Sequence, residues 1–132
     1  MGLSNQFSSS PSPLLRFFWV LLDIIGDKDL TLARCEESSA WLVQTIWETG
    51  RAAGHAKQFL ERKQSMVDDH IPFLEAGVPA VDIIDFEYGD GEEDNRYWHT
   101  KDDTLDKLSA DSLKIVGDTV LLSLPKIESQ IR

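Results

Sequence analysis

Three short stretches carry side chains able to move protons or bind a metal ion. Leu21-Leu22-Asp23-Ile24-Ile25-Gly26 sets a carboxylate where an apolar run ends. A buried carboxylate is costly unless it meets a metal, a cation or hydrogen-bond donors. Asp23 therefore reads either as such a group or as a turn aspartate bonded to nearby backbone amides. Val67-Asp68-Asp69-His70-Ile71-Pro72-Phe73 places two adjacent acids and a histidine at a helix start. They suit orienting a metal ligand or sharing a proton, and equally capping the helix and compensating its dipole. Trp98-His99-Thr100, with Asp102 and Asp103 behind it, pairs a common zinc ligand with a pocket-forming ring. The other reading of His99 is a surface histidine beside a packed tryptophan.

The elements that must position these groups follow from patterning. The run over 15–22, apolar apart from Arg16, lacks alternation and predicts a strand buried on both faces, as in a parallel sheet covered by helices. Asp23 then sits just past its C-terminal end, where open α/β sheets place ligands. Ser38 and Ser39 predict the cap of a helix to about Ala53, with Gly54 as its stop. Lys57–Leu60 reads as a short strand. Asp68 or Asp69 caps a short helix ending at Gly77, and Pro79 opens a strand over Ala80–Ile84. Asp85 to Asp94 holds six acids in ten residues and reads as a solvated loop. Ser109 caps a last helix, with Leu108 and Leu113 as a hydrophobic staple and Leu113, Val116, Val120 and Leu124 along one face. The order predicts an α/β layered sheet.

Composition narrows the function. The 132 residues suffice for one small domain, and 42% are hydrophobic, ordinary for a folded core. With 23 acids against 13 bases the formal net charge is -10, which argues against nucleic acid and anionic membrane surfaces as partners. No stretch reaches the roughly 18 apolar residues of a membrane span, and no signal peptide is recognisable; the compartment stays open. The single cysteine, Cys35, excludes an intrachain disulfide and a paired-cysteine zinc knuckle and is expected to be a buried thiol. Glycine-rich phosphate loops and the Gly-x-Ser-x-Gly elbow are also missing. The Ser- and Pro-rich residues 1–13 read as a disordered leader, 14–126 as the domain and 127–132 as a tail.

Taken in order, Leu-Leu-Asp-Ile-Ile-Gly (21–26), Asp-Asp-His-Ile-Pro-Phe (68–73), Gly-Val-Pro-Ala-Val (77–81) and Tyr-Trp-His-Thr (97–100) resemble the C-terminal half of glutaminyl-peptide cyclotransferases, which belong with the zinc aminopeptidases. The run 105–113 is similar to the segment entering that family's last helix. The resemblance implies a partial three-layer α/β/α sandwich of the zinc aminopeptidase type, without its N-terminal half. It implies His99 as a ligand of the catalytic zinc. It implies Asp23 as a ligand of a second metal in two-zinc aminopeptidases, or as part of a hydrogen-bond network in one-zinc cyclases. Asp68 would be another acid of that network, and Trp98 would line the substrate pocket. A cyclase converts an N-terminal glutamine to pyroglutamate with release of ammonia, whereas an aminopeptidase removes the N-terminal residue.

The family places a His-x-Asp metal motif and an adjacent glutamate pair well before the strand ending at Asp23. The 22 residues ahead of Asp23 hold neither, and Glu36-Glu37 follows it. His99 and Asp23, 76 positions apart, remain as the expected ligands. The chain is accordingly expected to bind zinc weakly, to be inactive alone, and to act on a peptide N-terminus only if completed. An α/β interaction module without catalysis is the alternative. An uncovered sheet would invite self-association.

Overall fold

The computed structural model describes residues 17–89 and 95–131. The expected leader (1–13) and the acidic residues 90–94 lie outside them. Four strands and three helices follow in the order β1 (Trp19–Asp23), β2 (Leu32–Cys35), α1 (Ala40–Ala52), β3 (Phe59–Gln64), α2 (Ile71–Glu75), β4 (Ala80–Ile84) and α3 (Ala110–Gln130). A 3-10 turn, Leu105–Lys107, leads into α3.

The strands pair as two parallel ladders. β1 lies on β4, Trp19 opposite Ala80 and Asp23 opposite Ile84. β2 lies on β3, with a register irregularity between Leu32 and Arg34. β2 also runs beside β4, in the opposite direction. At one end the Thr31 N–H donates to the Asp85 carboxylate at 3.0 Å; at the other the Ser39 N–H donates to the Ala80 carbonyl at 2.7 Å.

Val81 and Ile83 of β4 join Leu32, Leu42, Ile46, Trp47, Phe59, Val116 and Ile127 in the core. Helices α1 and α3 pack together over this face. Since strand side chains alternate faces, Asp82 points away from this core while remaining fully buried. Its side of the sheet is where the start of α2 arrives. Trp47 anchors the core, donating its indole N–H to the Leu60 carbonyl at 2.8 Å and meeting Phe59 edge-on at 5.2 Å.

The expected β4 agrees with the structure residue for residue, and α1 and α3 start where their serines predict. Ser109 caps α3 by accepting the Ser112 N–H at 3.3 Å. Ser38 and Ser39 serve β4 instead: their hydroxyl oxygens accept the Asp82 and Ala80 N–H groups at 2.9 and 3.0 Å. Helix α3 runs on through 127–130, and Ile127 is fully buried.

Three expectations need correction. The third strand spans Phe59–Gln64 rather than 57–60, and β2 was not expected at all. β1 is not buried on both faces among the described residues, since Trp19 and Leu22 are each 41% exposed. Asp85 is fully buried rather than part of a solvated loop. No helix of the described residues is long and apolar enough to cross a membrane.

Candidate functional site

The end of β1 and the start of α2 bring Asp23 and Asp68 together. Burial raises the Asp23 carboxyl above its ordinary value, and a hydrogen bond to Asp68 with that acid's charge raises it further. Two neighbouring acids disfavour simultaneous ionisation. Asp68 also closes the turn into α2, accepting the Asp69 N–H at 2.7 Å, and its carbonyl accepts the Ile71 N–H at 3.1 Å. Trp19 stacks on Phe73 with centroids 3.9 Å apart, pinning β1 against α2.

Backbone strain marks the same places. Ile24, directly after Asp23, has φ 47°, and His99 has φ 55°. A β-branched residue in the left-handed region is an outlier, and such strain persists where surrounding structure enforces it, commonly at functional sites. Around Ile24 the enforcing contacts come from α3. The Ser109 N–H donates to the Gly26 carbonyl at 2.8 Å, and the Ser112 hydroxyl donates to the Asp27 carbonyl at 2.6 Å. Asp27 in turn accepts the Gly89 N–H at 3.1 Å. A side chain at position 26 would press on Leu108 at 3.0 Å.

His99 and Trp98 sit on the loop after β4. Trp98 stacks on His99 at 4.0 Å and meets Phe86 at 5.5 Å; both Trp98 and His99 are exposed. The loop is fastened at its base. The Tyr88 N–H donates to Asn95 Oδ1 at 3.1 Å, and its hydroxyl donates to Asp103 at 2.7 Å. The structure thus brings Asp23 and Asp68 into one pair and presents Trp98 and His99 as another. Among the described residues no group of three metal-ligand side chains includes His99.

A different group of three was not anticipated as a unit. Cys35 at the end of β2, His70 at the head of α2 and Asp82 in β4 are all buried, and one ligand atom from each lies within 4.8 Å of the others. Cys35 Sγ is 3.6 Å from His70 Nε2, and His70 Nδ1 is 3.8 Å from Asp82 Oδ2. Burial pushes the Asp82 carboxyl up to about 7, helped by the charges of Asp68, Asp23 and Asp69. Burial also raises the Cys35 thiol and lowers His70. The sequence did hold a signal for this group: an aspartate inside the apolar strand Ala-Val-Asp-Ile-Ile has a poor chance of reaching water.

The two parallel strand pairs, joined side by side beneath α1 and α3, place the chain in the α/β class. The sequence signature of Peptidase family M28 matches residues 4–124, and the chain belongs to that family. It is 31% identical over 119 residues to the glutaminyl-peptide cyclotransferase of Gloydius blomhoffii, covering 79% of this chain and 31% of that protein. The structure of a glutaminyl cyclase from an Acidobacteriales bacterium superposes with a TM-score of 0.77 at 40% identity, covering 84% of this chain and 39% of that one. A Zn-dependent exopeptidase from Parabacteroides distasonis superposes with a TM-score of 0.71 at 26% identity, covering 86% and 41%. The chain thus spans about a third of the curated cyclotransferase and two-fifths of these solved structures.

Proposed function

We propose that this chain supplies one part of a zinc-dependent glutaminyl-peptide cyclotransferase site, the remaining ligands being contributed from outside the present sequence, and that it is inactive alone. The observation that carries this is the Asp23–Asp68 pair at the strand end, with the Trp98–His99 stack on a fastened loop. The 40% identity to a bacterial glutaminyl cyclase supports cyclase over aminopeptidase.

In this reading His99 is a zinc ligand and Trp98 flanks the bound peptide N-terminus. Three protein ligands with one open position make a catalytic zinc site. In this reading the other ligands come from elsewhere, in keeping with His99 belonging to no set of three among the described residues. Zinc in a completed site would polarise the substrate carbonyl. What this chain's own residues do is move a proton. The Asp23 carboxyl, raised above its ordinary value by burial and by Asp68 beside it, is placed to take a proton from the substrate amine side and return it.

A second reading, an aminopeptidase that removes N-terminal residues, draws on the exopeptidase likeness. The half-exposed Trp19 and Leu22 of β1 are the surface through which the chain would meet its complement or a second copy. The purified chain, given a peptide with N-terminal glutamine, is expected to release no ammonia. Robust turnover that disappears in His99→Ala would overturn the proposal, because the chain would then be a complete enzyme.

A further inference from the structure

We propose that Cys35, His70 and Asp82 form a buried binding site for a thiophilic divalent cation of the zinc type, separate from the site to which His99 belongs. The inference stands independently of the cyclase reading.

The observations are geometric. Each residue comes from a different element, so the fold rather than local sequence assembles the group. All three are buried, His70 and Asp82 completely. His70 Nδ1 and both carboxylate oxygens of Asp82 have no hydrogen-bond partner. Buried polar atoms are nearly always satisfied, and three orphans on two touching side chains call for a partner. A cation held by Cys35 Sγ, one imidazole nitrogen of His70 and the Asp82 carboxylate would give the orphaned carboxylate its partner. Ligand atoms of a tetrahedral zinc stand about 3.5 Å apart, given bonds of about 2.0 to 2.3 Å. The group here lies within 4.8 Å, so a closure of about 1 Å suffices, well within a side-chain rotation of Asp82.

The donor set selects the metal. Thiolate, imidazole and carboxylate together favour zinc over magnesium or calcium, which take oxygen ligands. Outside that group of three, one more carboxylate stands beside the thiol. Glu37 Oε2 lies 3.8 Å from Cys35 Sγ and is held in place by the Met66 N–H at 2.7 Å. There is also a way in. Cys35 backs onto a groove of about 540 Å³ lined by Arg34, Glu36, Ser38 and Lys63. Binding releases the thiol proton, and the carboxyl proton when Asp82 carries one, to solvent. The cation would tie β2, β4 and the head of α2 together one residue from Asp69 and two from Asp68. It would thereby steady the Asp23–Asp68 pair without touching substrate.

The test is cobalt(II) titration of the whole chain after chelator treatment, followed by absorbance. Cys35 is the chain's sole cysteine, so a thiolate-to-cobalt charge-transfer band reports this site alone. The expected result is a band that saturates at one equivalent and is displaced by zinc. In Cys35→Ser, matched in size, the band vanishes. In His70→Gln binding weakens by more than about 100-fold, beyond the 10–100-fold that loss of an outer partner costs. In His99→Ala the band is unchanged. Far-ultraviolet circular dichroism of each variant confirms that the comparison is between folded chains. A folded wild-type chain that shows no thiolate band at excess cobalt would overturn the proposal, leaving the three side chains as a neutral packed cluster. A band lost in His99→Ala would also overturn it. Neither outcome bears on whether a completed enzyme releases ammonia.

Discussion

Asp85 shows how much one buried acid can couple this molecule to pH. Its carboxylate accepts the N–H groups of Thr31 at 3.0 Å and Glu87 at 2.9 Å, yet burial wins and raises it to about 6. The folded state therefore holds a proton that the unfolded chain has already lost. Stability from this group is complete below about pH 4 and is lost as pH rises to about 6. Urea midpoints measured across that window are expected to fall with rising pH, and Asp85→Asn to flatten the slope. The Asp23–Asp68 pair behaves differently. Two neighbouring acids repel when both are ionised, so Asp68→Asn is expected to leave the urea midpoint unchanged or raise it, by up to about 1 kcal/mol in stability. A clear loss of stability on that substitution would mean the pair is structural. Both acids were legible in the sequence because each ends or starts an element. Of the cluster of Cys35, His70 and Asp82 only the buried aspartate carried a signal, because its members are brought together by the packing of elements far apart in the chain.

At the scale of elements, Gly50 is the tightest fitting in the fold. A methyl group there would meet the Phe59 ring at 2.6 Å, with α1 on one side and β3 on the other. Neither backbone can yield easily, so Gly50→Ala is expected to destabilise by about 1–3 kcal/mol despite the better helix propensity of alanine. A thermal melt shifted upward would contradict this packing. The contrast among elements explains what could be read beforehand. β4, α1 and α3 carry punctuation, with Pro79, Ser39 and Ser109 each standing just before the first residue, although only Ser109 caps its helix through its side chain. β2 is only Leu-Ala-Arg-Cys, and β3 is Phe-Leu-Glu-Arg-Lys-Gln, mostly exposed along its length. Neither has enough apolar alternation to announce a strand; tertiary contact with α1 and β4 makes them so. β1 misled in the opposite sense. An apolar run records what a strand can bury, whereas Trp19 and Leu22 here remain 41% exposed.

The whole molecule combines a sound core beneath α1 and α3 with apolar groups left on its outside. Besides Trp19 and Leu22, the exposed large side chains include Leu113, Leu121 and Leu122 on α3. A net charge of -10 opposes indiscriminate association. The proposal that the chain works with a complement is tested against the Acidobacteriales cyclase, of which the chain covers 39%. The most direct measurement replaces the matching part of that cyclase with this chain and assays the chimera on a peptide beginning with glutamine. The account predicts ammonia release that is abolished by His99→Ala and lowered at least about 100-fold by Asp23→Asn, as for loss of a proton-transfer group. Release of the N-terminal residue without ammonia, or ammonia release indifferent to His99, would contradict it.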